Sequence, residues 1–328
     1  MANVFGRKYK LSWGSPKRIK IAPTSITVAG ETFQRGSLFP GMISDKDILI
    51  PSNALSVDDL HIKTLLPIKK TKKASSSDAF IIEVYNMDED LTKTMFPDDI
   101  VVLEAGYETD EVLPAVFIGS FRRTVTTQKG QDRITKLICV NDTGAVRGFF
   151  SKWDWAPGTT YDTMIKEVMA DLAEQGLPSG RPLIGSGSGL PIAKDIKTET
   201  GITAKGNGVK TLDSLCQEID YRAYVTLNTL WVEPNSIPLI RQVITIEQDN
   251  IIGRIEKSVD NIEKLSGQKG EGIKFTLFLD GRITPSTKIE IAFGDFKGTY
   301  FVKAITHNME FEGKRWETEV LCDAAEVQ

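Results

Sequence analysis

The sequence predicts a mainly β protein carrying a small α+β insertion. Three observations lead there. Short alternating apolar runs recur up to about residue 150 and again from about Ser236. Pro, Gly and polar turns such as "TTQKGQD" separate them. Helical periodicity is confined to the stretch between. The expected domains are therefore residues 1–150, 151–235 and 236–328.

In the first region "ITVAG", "DILI" and "LHIKTLL" read as short strands. "AFIIEVYN" puts Phe80, Ile82 and Val84 on one face and Ile81, Glu83 and Tyr85 on the other. "DIVVLEAGY", "AVFIGSFRRTVTT" and "DRITKLICVND" continue a sheet expected to close into a barrel or sandwich. The run Lys69, Lys70, Lys72, Lys73 reads as a solvated loop, since like charges repel and stay hydrated; contact with an anionic partner is the alternative.

The middle region opens with a helix in "APGTTYDTMIKEVMADLAEQGLP". Thr159 or Thr160 caps it, Asp162 suits its positive end, and Met164, Ile165, Val168 and Leu172 form the buried stripe. Gly176 and Pro178 end it. A second helix, "TLDSLCQEID", is expected to be capped by Thr211 and to bury Leu212, Leu215, Cys216 and Ile219. "GITAKG" and "AYVTLNTLWVEP" are flanking strands, and "PSGRPLIGSGSGLP" is a loop. The last region supplies the strands "LIRQVITIEQ", "GIKFTLFLDG", "TKIEIAFG", "TYFVKAITHNMEFEG" and "RWETEVLCD". "IEKSVDNIEKL" fits an amphipathic helix.

The two β regions share a pattern. "FPDDIVVLEAGYE" and "TPSTKIEIAFGDF" have the same spacing from Pro97 to Gly106 and from Pro285 to Gly294. In both the Gly marks where the strand lets go. Each is followed by a strand leading away and a closing strand, with Thr135 set against Thr318, Leu137 against Val320 and Cys139 against Cys322. A true duplication and chance likeness between alternating strands both explain this.

Chemistry is harder to find. A net charge of −4 argues against a dedicated nucleic-acid binder, which needs a basic field to displace counterions from phosphate. No run approaches the ~18 apolar residues of a membrane span, and no apolar segment follows the basic N-terminus, so no signal peptide is expected. Cys139, Cys216 and Cys322 lie far apart among apolar neighbours and read as small buried hydrophobes. "NDTG" contains the Asp-Thr-Gly of aspartic proteases at Asp142, but a second such carboxylate is missing and these residues are ordinary turn formers. "GSGSG" matches neither GxGxxG nor GxSxG. His61 and His307 sit in no metal motif, and His307 reads as structural. Asp88, Glu89 and Asp90 lack the Gly and distal Glu of a calcium loop and open a helical turn instead. Asp98, Asp99 and Glu104 are expected to do no chemistry. No catalytic, cofactor-binding or metal-ligating residue is therefore assigned, and a non-enzyme is expected. Two alternatives stand. One is a hydrolase, working through Asp142 or through a carboxylate pair, which has no sequence signature. The other is a carbohydrate-binding module using Trp153 and Trp155, which read more simply as packed at a domain junction.

The stretch "AFIIEVYNMDEDLTKTMFPDDIVVLEAGYE…AVFIGSFRRTVTTQKGQDRITKLICVND" resembles the central baseplate hub proteins of contractile-tailed bacteriophages. Val84-Tyr85-Asn86, Leu103 to Tyr107, Val116 to Gly119 and Asp132 to Cys139 occupy that family's motif positions. "APGTTYDTMIKEVMADL", "GITAKGNGVKTLDSLCQEIDYRAYVTLNTLWVEP" and the segment from "GIKFTLFLDG" to "RWETEV" follow its later pattern. Ser286 and Thr287 replace its usual Pro-Gly step, so a different turn is expected there. The likeness extends from about Asp78 onward and encodes a sheet geometry rather than a reaction. It implies two similar tail-tube-like β-barrel domains flanking the α+β domain. It also implies a homotrimer imitating sixfold symmetry, joining the hexameric tail tube protein to the trimeric central spike protein among other baseplate proteins. A related hub forms part of type VI secretion spike proteins. DNA would pass through a channel, which the acidic balance suits. The location implied is the virion tail, assembled in the host cytoplasm, with no membrane insertion and no cofactor.

Overall fold

The computed structural model describes residues 6–19, 25–28, 31–34, 48–69, 79–140, 149–175, 196–227, 229–234, 243–258 and 272–324. The first β region contributes β1 (Arg7–Ile19), β2 (Ser25–Val28), β3 (Glu31–Gln34), β4 (Ile48–Val57), β5 (Ile62–Lys69) and β6 (Ala79–Tyr85). After a short helix α1 (Glu89–Lys93) come β7 (Ile100–Tyr107), β8 (Ala115–Lys129) and β9 (Asp132–Val140). The α+β segment contains β10 (Phe150–Trp155), α2 (Tyr161–Glu174), β11 (Ile202–Asn207), α3 (Gly208–Glu218), β12 (Tyr221–Thr226) and β13 (Thr229–Pro234). The last region supplies β14 (Val243–Ile246), β15 (Ile251–Ser258), β16 (Gly272–Phe278), β17 (Lys288–Ile291), β18 (Gly298–Glu310) and β19 (Trp316–Ala324).

The chain is mainly β, as the alternation predicts. Phe80, Ile82 and Val84 of β6 are buried while Ile81 is exposed. The two β regions form one sheet, in the order β15-β16-β19-β18-β5-β6-β9-β8-β7-β1-β4, with β17 on β18 and β14 on β17. The β14–β17 pairing is parallel. Among the described residues no strand pairing closes either region into a barrel. The reason is local: the outer half of β18 spends its free edge on β5, which merges the two regions.

Among the described residues three large apolar clusters fill the fold. The first holds Tyr9, Trp13, Leu66, Ile82, Val101 and Leu137, and takes in Met309 and Trp316 from the far end of the chain. Arg7 fixes that junction. Its Nη1 donates to the carbonyls of Glu310 (2.8 Å), Phe311 (3.1 Å) and Gly313 (2.6 Å), and its guanidinium lies 5.7 Å from the centre of the Trp316 ring. The third cluster, with Ile246, Phe275, Ile289, Val302 and Val320, belongs to the last region. Each large side chain so buried is worth about 1.5–3 kcal/mol.

The second cluster is the core of the α+β segment. Thr160 caps α2 as its sequence predicts, accepting from the Thr163 N–H, and Met164, Ile165, Val168 and Leu172 are buried. Trp153 and Trp155 stack 6.4 Å apart inside this cluster rather than at a domain junction. Their indole N–H groups donate to Asp171 (2.8 Å) and Glu167 (2.6 Å) of α2. α3 starts a turn earlier than expected: Asn207, not Thr211, is its cap and accepts from the Lys210 N–H at 3.2 Å. Leu212, Leu215, Cys216 and Ile219 are buried all the same. A further correction concerns "IEKSVDNIEKL". Its first residues, Ile255 to Ser258, belong to β15, where Glu256 to Ser258 ladder with β16; the rest lies outside the described residues.

Candidate assembly surface

The feature that distinguishes this fold is a five-strand unit present twice. One copy runs β5-β6-β9-β8-β7 and the other β15-β16-β19-β18-β17, neighbour for neighbour. Both begin their last strand with one kind of turn. Asp98 and Ser286, each following a proline, have φ of 73°. The Asp99 N–H donates to the Phe96 carbonyl and the Thr287 N–H to the Thr284 carbonyl, each at 3.0 Å. Proline at the second position and positive φ at the third make the type II pattern. Side chains close both turns: Asp99 accepts from the Phe96 N–H at 2.8 Å and Thr287 Oγ1 from the Thr284 N–H at 3.1 Å. At Ser286 and Thr287 the turn is of this type II pattern, with Ser286 in the left-handed conformation that glycine would take. The glycines do differ. Gly294 has φ of 63°, whereas β7 continues through Gly106, where a Cβ would lie 2.3 Å from Asp110 Oδ2.

The registers agree as well. Cys139 faces Phe121 and Cys322 faces Val302. One residue later, at Arg122 and at Lys303, each pairing slips by a bulge. Leu137 then faces Thr124 and Val320 faces Ile305; Thr135 faces Thr126 and Thr318 faces His307. On the other side Phe80 faces Cys139 and Ile273 faces Cys322. The three residue matches read from sequence therefore occupy corresponding places in two ladders.

The units part company at one edge. Ala304–Glu310 of β18 lies against β5, with Glu310 opposite Lys63, and Ile305, His307 and Met309 are buried. The corresponding residues of β8, Arg123–Lys129, ladder with β9 on one side; on the other no strand is paired among the described residues. β15 is the end strand of the sheet path, laddered only with β16 among the described residues. Val125 of β8 is 39% exposed and Ile252 of β15 is 37% exposed.

One row of side chains on the open face runs across five strands: Glu310, Lys63, Glu83, Lys136, Val125. Lys63 is 2.5 Å from Glu310 and Lys136 is 2.8 Å from Glu83. The Glu310 side chain raises the Lys63 pKa, and Lys63 holds the Glu310 carboxyl below its ordinary value. The sign of charge alternates along this row, so this part of the face is balanced rather than acidic.

Buried polar groups are used for structure. Glu233 is fully buried and accepts from Arg222 Nε (3.0 Å), Arg222 Nη2 (2.9 Å), the Tyr224 hydroxyl (3.2 Å) and the Ser286 hydroxyl (3.1 Å). It ties the α+β segment to the turn of the second unit. His307 is buried, and burial pushes its pKa down to about 4. Thr318 Oγ1 accepts from the Asp280 N–H at 3.1 Å and shares a hydrogen bond of 2.9 Å with His307 Nδ1. His61 Nδ1 accepts from the Glu312 N–H at 3.1 Å. Burial pushes the Cys139 thiol up to about 12 and the thiols of Cys216 and Cys322 upward too.

The residues singled out from sequence thus serve the fold. Asp98 pairs with Arg122 at the surface, and Asp99 is buried in its turn, where burial raises its pKa. Glu104 is buried opposite Lys10. Asp88 caps α1, with Glu89 and Asp90 in its first turn. Lys69 ends β5, opposite Ala304; Lys70, Lys72, Lys73 and Asp142 lie outside the described residues. Among the described residues no group of three or more His, Cys, Asp or Glu side chains could hold a metal, and no helix is long and apolar enough to cross a membrane. Arg7 and Glu233 were missed by sequence reasoning, since nothing local to either announces its distant partners.

No family model and no curated protein matches the sequence. Solved structures do. The 43 kDa tail protein of prophage MuSo2 from Shewanella oneidensis aligns with a TM-score of 0.50 at 11% identity, over 82% of this chain and 96% of that one. A tail protein from Neisseria meningitidis aligns at 0.47 and 11%, over 81% of this chain and 96% of that one. An E. coli type VI secretion component, described as structurally similar to tail proteins of bacteriophage T4, aligns at 0.48 and 8%, over 81% of this chain and 73% of that one. The first alignment shows that the chain shares the fold of a phage tail protein.

Proposed function

We propose that the protein is the hub of a phage tail baseplate, a homotrimer joining the hexameric tail tube to the trimeric central spike, with a channel through which DNA passes. In this reading residues 1–150 and 236–328 are two similar tube-like β domains, and residues 151–235 form the α+β domain between them. The protein acts as a structural adaptor without catalysis, in the virion, after assembly in the host cytoplasm. One observation carries the proposal. A five-strand unit occurs twice in one chain with the same strand order, turns and register slips. Three copies of such a chain present six similar units, which is what a threefold part must offer a sixfold tube. The fold shared with a prophage tail protein supports it.

Sedimentation and low-resolution imaging of the full chain test it. A threefold ring with an open centre, able to bind a tube or spike protein, is expected. A protein that stays monomeric at every concentration and binds neither would overturn the reading.

A further inference from the structure

Glu233 ties the α+β segment to the second unit through the Ser286 hydroxyl. Toward the first unit the same segment borders a small crevice, lined by Pro67 and Lys69 of β5, Phe80 of β6, Phe117 of β8, and Thr226 and Leu227. Three parts of the chain meet there. The β5–β6 ladder ends at Thr64 opposite Ile82, while β5 stays on β18 as far as Lys69. The tip of the β12–β13 hairpin closes the remaining side. Leu227 at that tip is buried with φ of 49°, a conformation that a bulky residue keeps only where its surroundings hold it.

The polar groups of the crevice come from two sources. Thr226 is 4% exposed, and its hydroxyl has no hydrogen-bond partner among the described residues. A buried hydroxyl left in that state is costly. The backbone of β5 supplies the others. The Ile62 carbonyl accepts from the Phe311 N–H on the β18 side, and the His61 carbonyl accepts from the Tyr85 N–H on the β6 side. Alternation along the strand then turns the Pro67 carbonyl and the Lys69 N–H toward β6, beyond the point where that ladder ends. Proline suits this stretch, since its missing N–H costs no ladder bond there.

We infer that this crevice is the site of one structural water, which bridges the Thr226 hydroxyl to the β5 backbone at Pro67 and Lys69. Size and chemistry both select water. The crevice measures about 20 Å³. One water needs roughly 10–15 Å³, so the space fits one molecule and no organic group. A carbonyl, an N–H and a hydroxyl around one point ask for a ligand that both donates and accepts, which neither a bare cation nor a bare anion does. Three partners is also the usual number for a buried water. Such a bridge is nearly as favourable as a direct hydrogen bond. It holds the α+β segment to the strand that carries the seam between the units, as Glu233 holds it to the second turn.

The test uses the full chain and two variants. Thr226→Val keeps the side-chain shape and removes the hydroxyl; Thr226→Ser keeps the hydroxyl. A crystal structure of the wild type should show one ordered water within hydrogen-bonding distance of both Thr226 Oγ1 and the Pro67 carbonyl. The water should persist in Thr226→Ser and be lost in Thr226→Val. Urea unfolding reads the same question through its sign. A bridged hydroxyl makes Thr226→Val lower the midpoint, because the bridge is broken. An orphan hydroxyl makes it leave the midpoint in place or raise it, because a buried group without a partner has been removed. A well-ordered wild-type crevice without that water would overturn the inference, and so would a Thr226→Val midpoint at or above that of the wild type. The wild-type and Thr226→Ser crystals decide the matter even where the valine variant does not fold.

Discussion

The two five-strand units share strand order, turn and bulge, yet the same positions carry different chemistry. Where β18 is covered by β5, the chain places Ile305, His307 and Met309, all buried. At the equivalent positions β8 carries Thr124, Thr126 and Gln128. The slot that pairs His307 with Thr318 at 2.9 Å pairs Thr126 with Thr135 at 3.3 Å in the first unit. The turns differ likewise: Ser286 donates to a fully buried carboxylate, whereas Asp98 meets Arg122 at the surface. Geometry is common to both copies, and polarity records what covers each. The backbone pattern sets the sheet, while the side chains report whether a neighbour is supplied by the same chain.

The largest test of that difference is Glu233→Ala. It would leave Arg222, mostly buried, and the hydroxyls of Tyr224 and Ser286 without their shared acceptor. Breaking a buried pair by removing one partner costs about 3–5 kcal/mol. Asp98→Ala removes the corresponding contact of the first unit, a surface pair worth at most about 1 kcal/mol. Denaturation midpoints followed by tryptophan fluorescence should show this gap. Equal losses in the two variants would mean that the buried network does not hold the second turn.

The next effect depends on pH. The folded His307 titrates near 4 because burial disfavours its charged form, against about 6.5 in an unfolded chain. Between those values the unfolded chain binds a proton that the folded chain refuses, so stability rises with pH. The contribution is complete above 6.5 and lost as pH falls through 4, about 3 kcal/mol in all. Carboxylates titrate in the same window, so the informative quantity is a difference. Relative to His307→Gln, the wild type should lose about 1.4 kcal/mol per pH unit between pH 6 and 4.5. Urea unfolding at stepped pH measures it, and parallel curves would show that the imidazole does not titrate as its burial requires. The first unit has a hydroxyl at that place and contributes no such slope.

Much of this fold was legible because burial alternates along strands and recurs at helical spacing. Phe80, Ile82 and Val84 face inward, and Met164 to Leu172 form the predicted stripe. The repeat was legible in the Pro97 and Pro285 turns and in the Thr, Leu or Val, and Cys of the closing strands, because the same turn and the same inward face need similar residue types. What could not be read depends on long-range partners. Nothing in "IKTLLPIK" announces that it will pair with residues 304–310, and any strand of that length could have done so. The parallel β14–β17 contact, the reach of Arg7 to the last hairpin and the burial of Glu233 are of the same kind. The cap of α3 failed for a local reason. Asn207 and Thr211 stand one turn apart, both types cap helices, and β11 delivers the chain to Asn207.

The smallest effect is the sharpest comparison, because one substitution should be near neutral in one copy and destabilising in the other. Asp98 and Ser286 hold φ of 73°, which glycine adopts without the cost of about 1 kcal/mol borne by other residues. In Asp98→Gly that relief is set against a screened surface pair worth about 0–1 kcal/mol, so stability should stay within about 0.5 kcal/mol of wild type. Ser286→Gly gains the same relief but removes a hydroxyl that donates to the buried Glu233 at 3.1 Å. A hydrogen bond to a charged group contributes about 1.5–3 kcal/mol, so this variant should be less stable by about 1 kcal/mol. Equilibrium unfolding of the two variants resolves that difference. If Ser286→Gly were instead the more stable protein, the serine would be there for the backbone alone, and the second turn would owe nothing to the α+β segment that covers it.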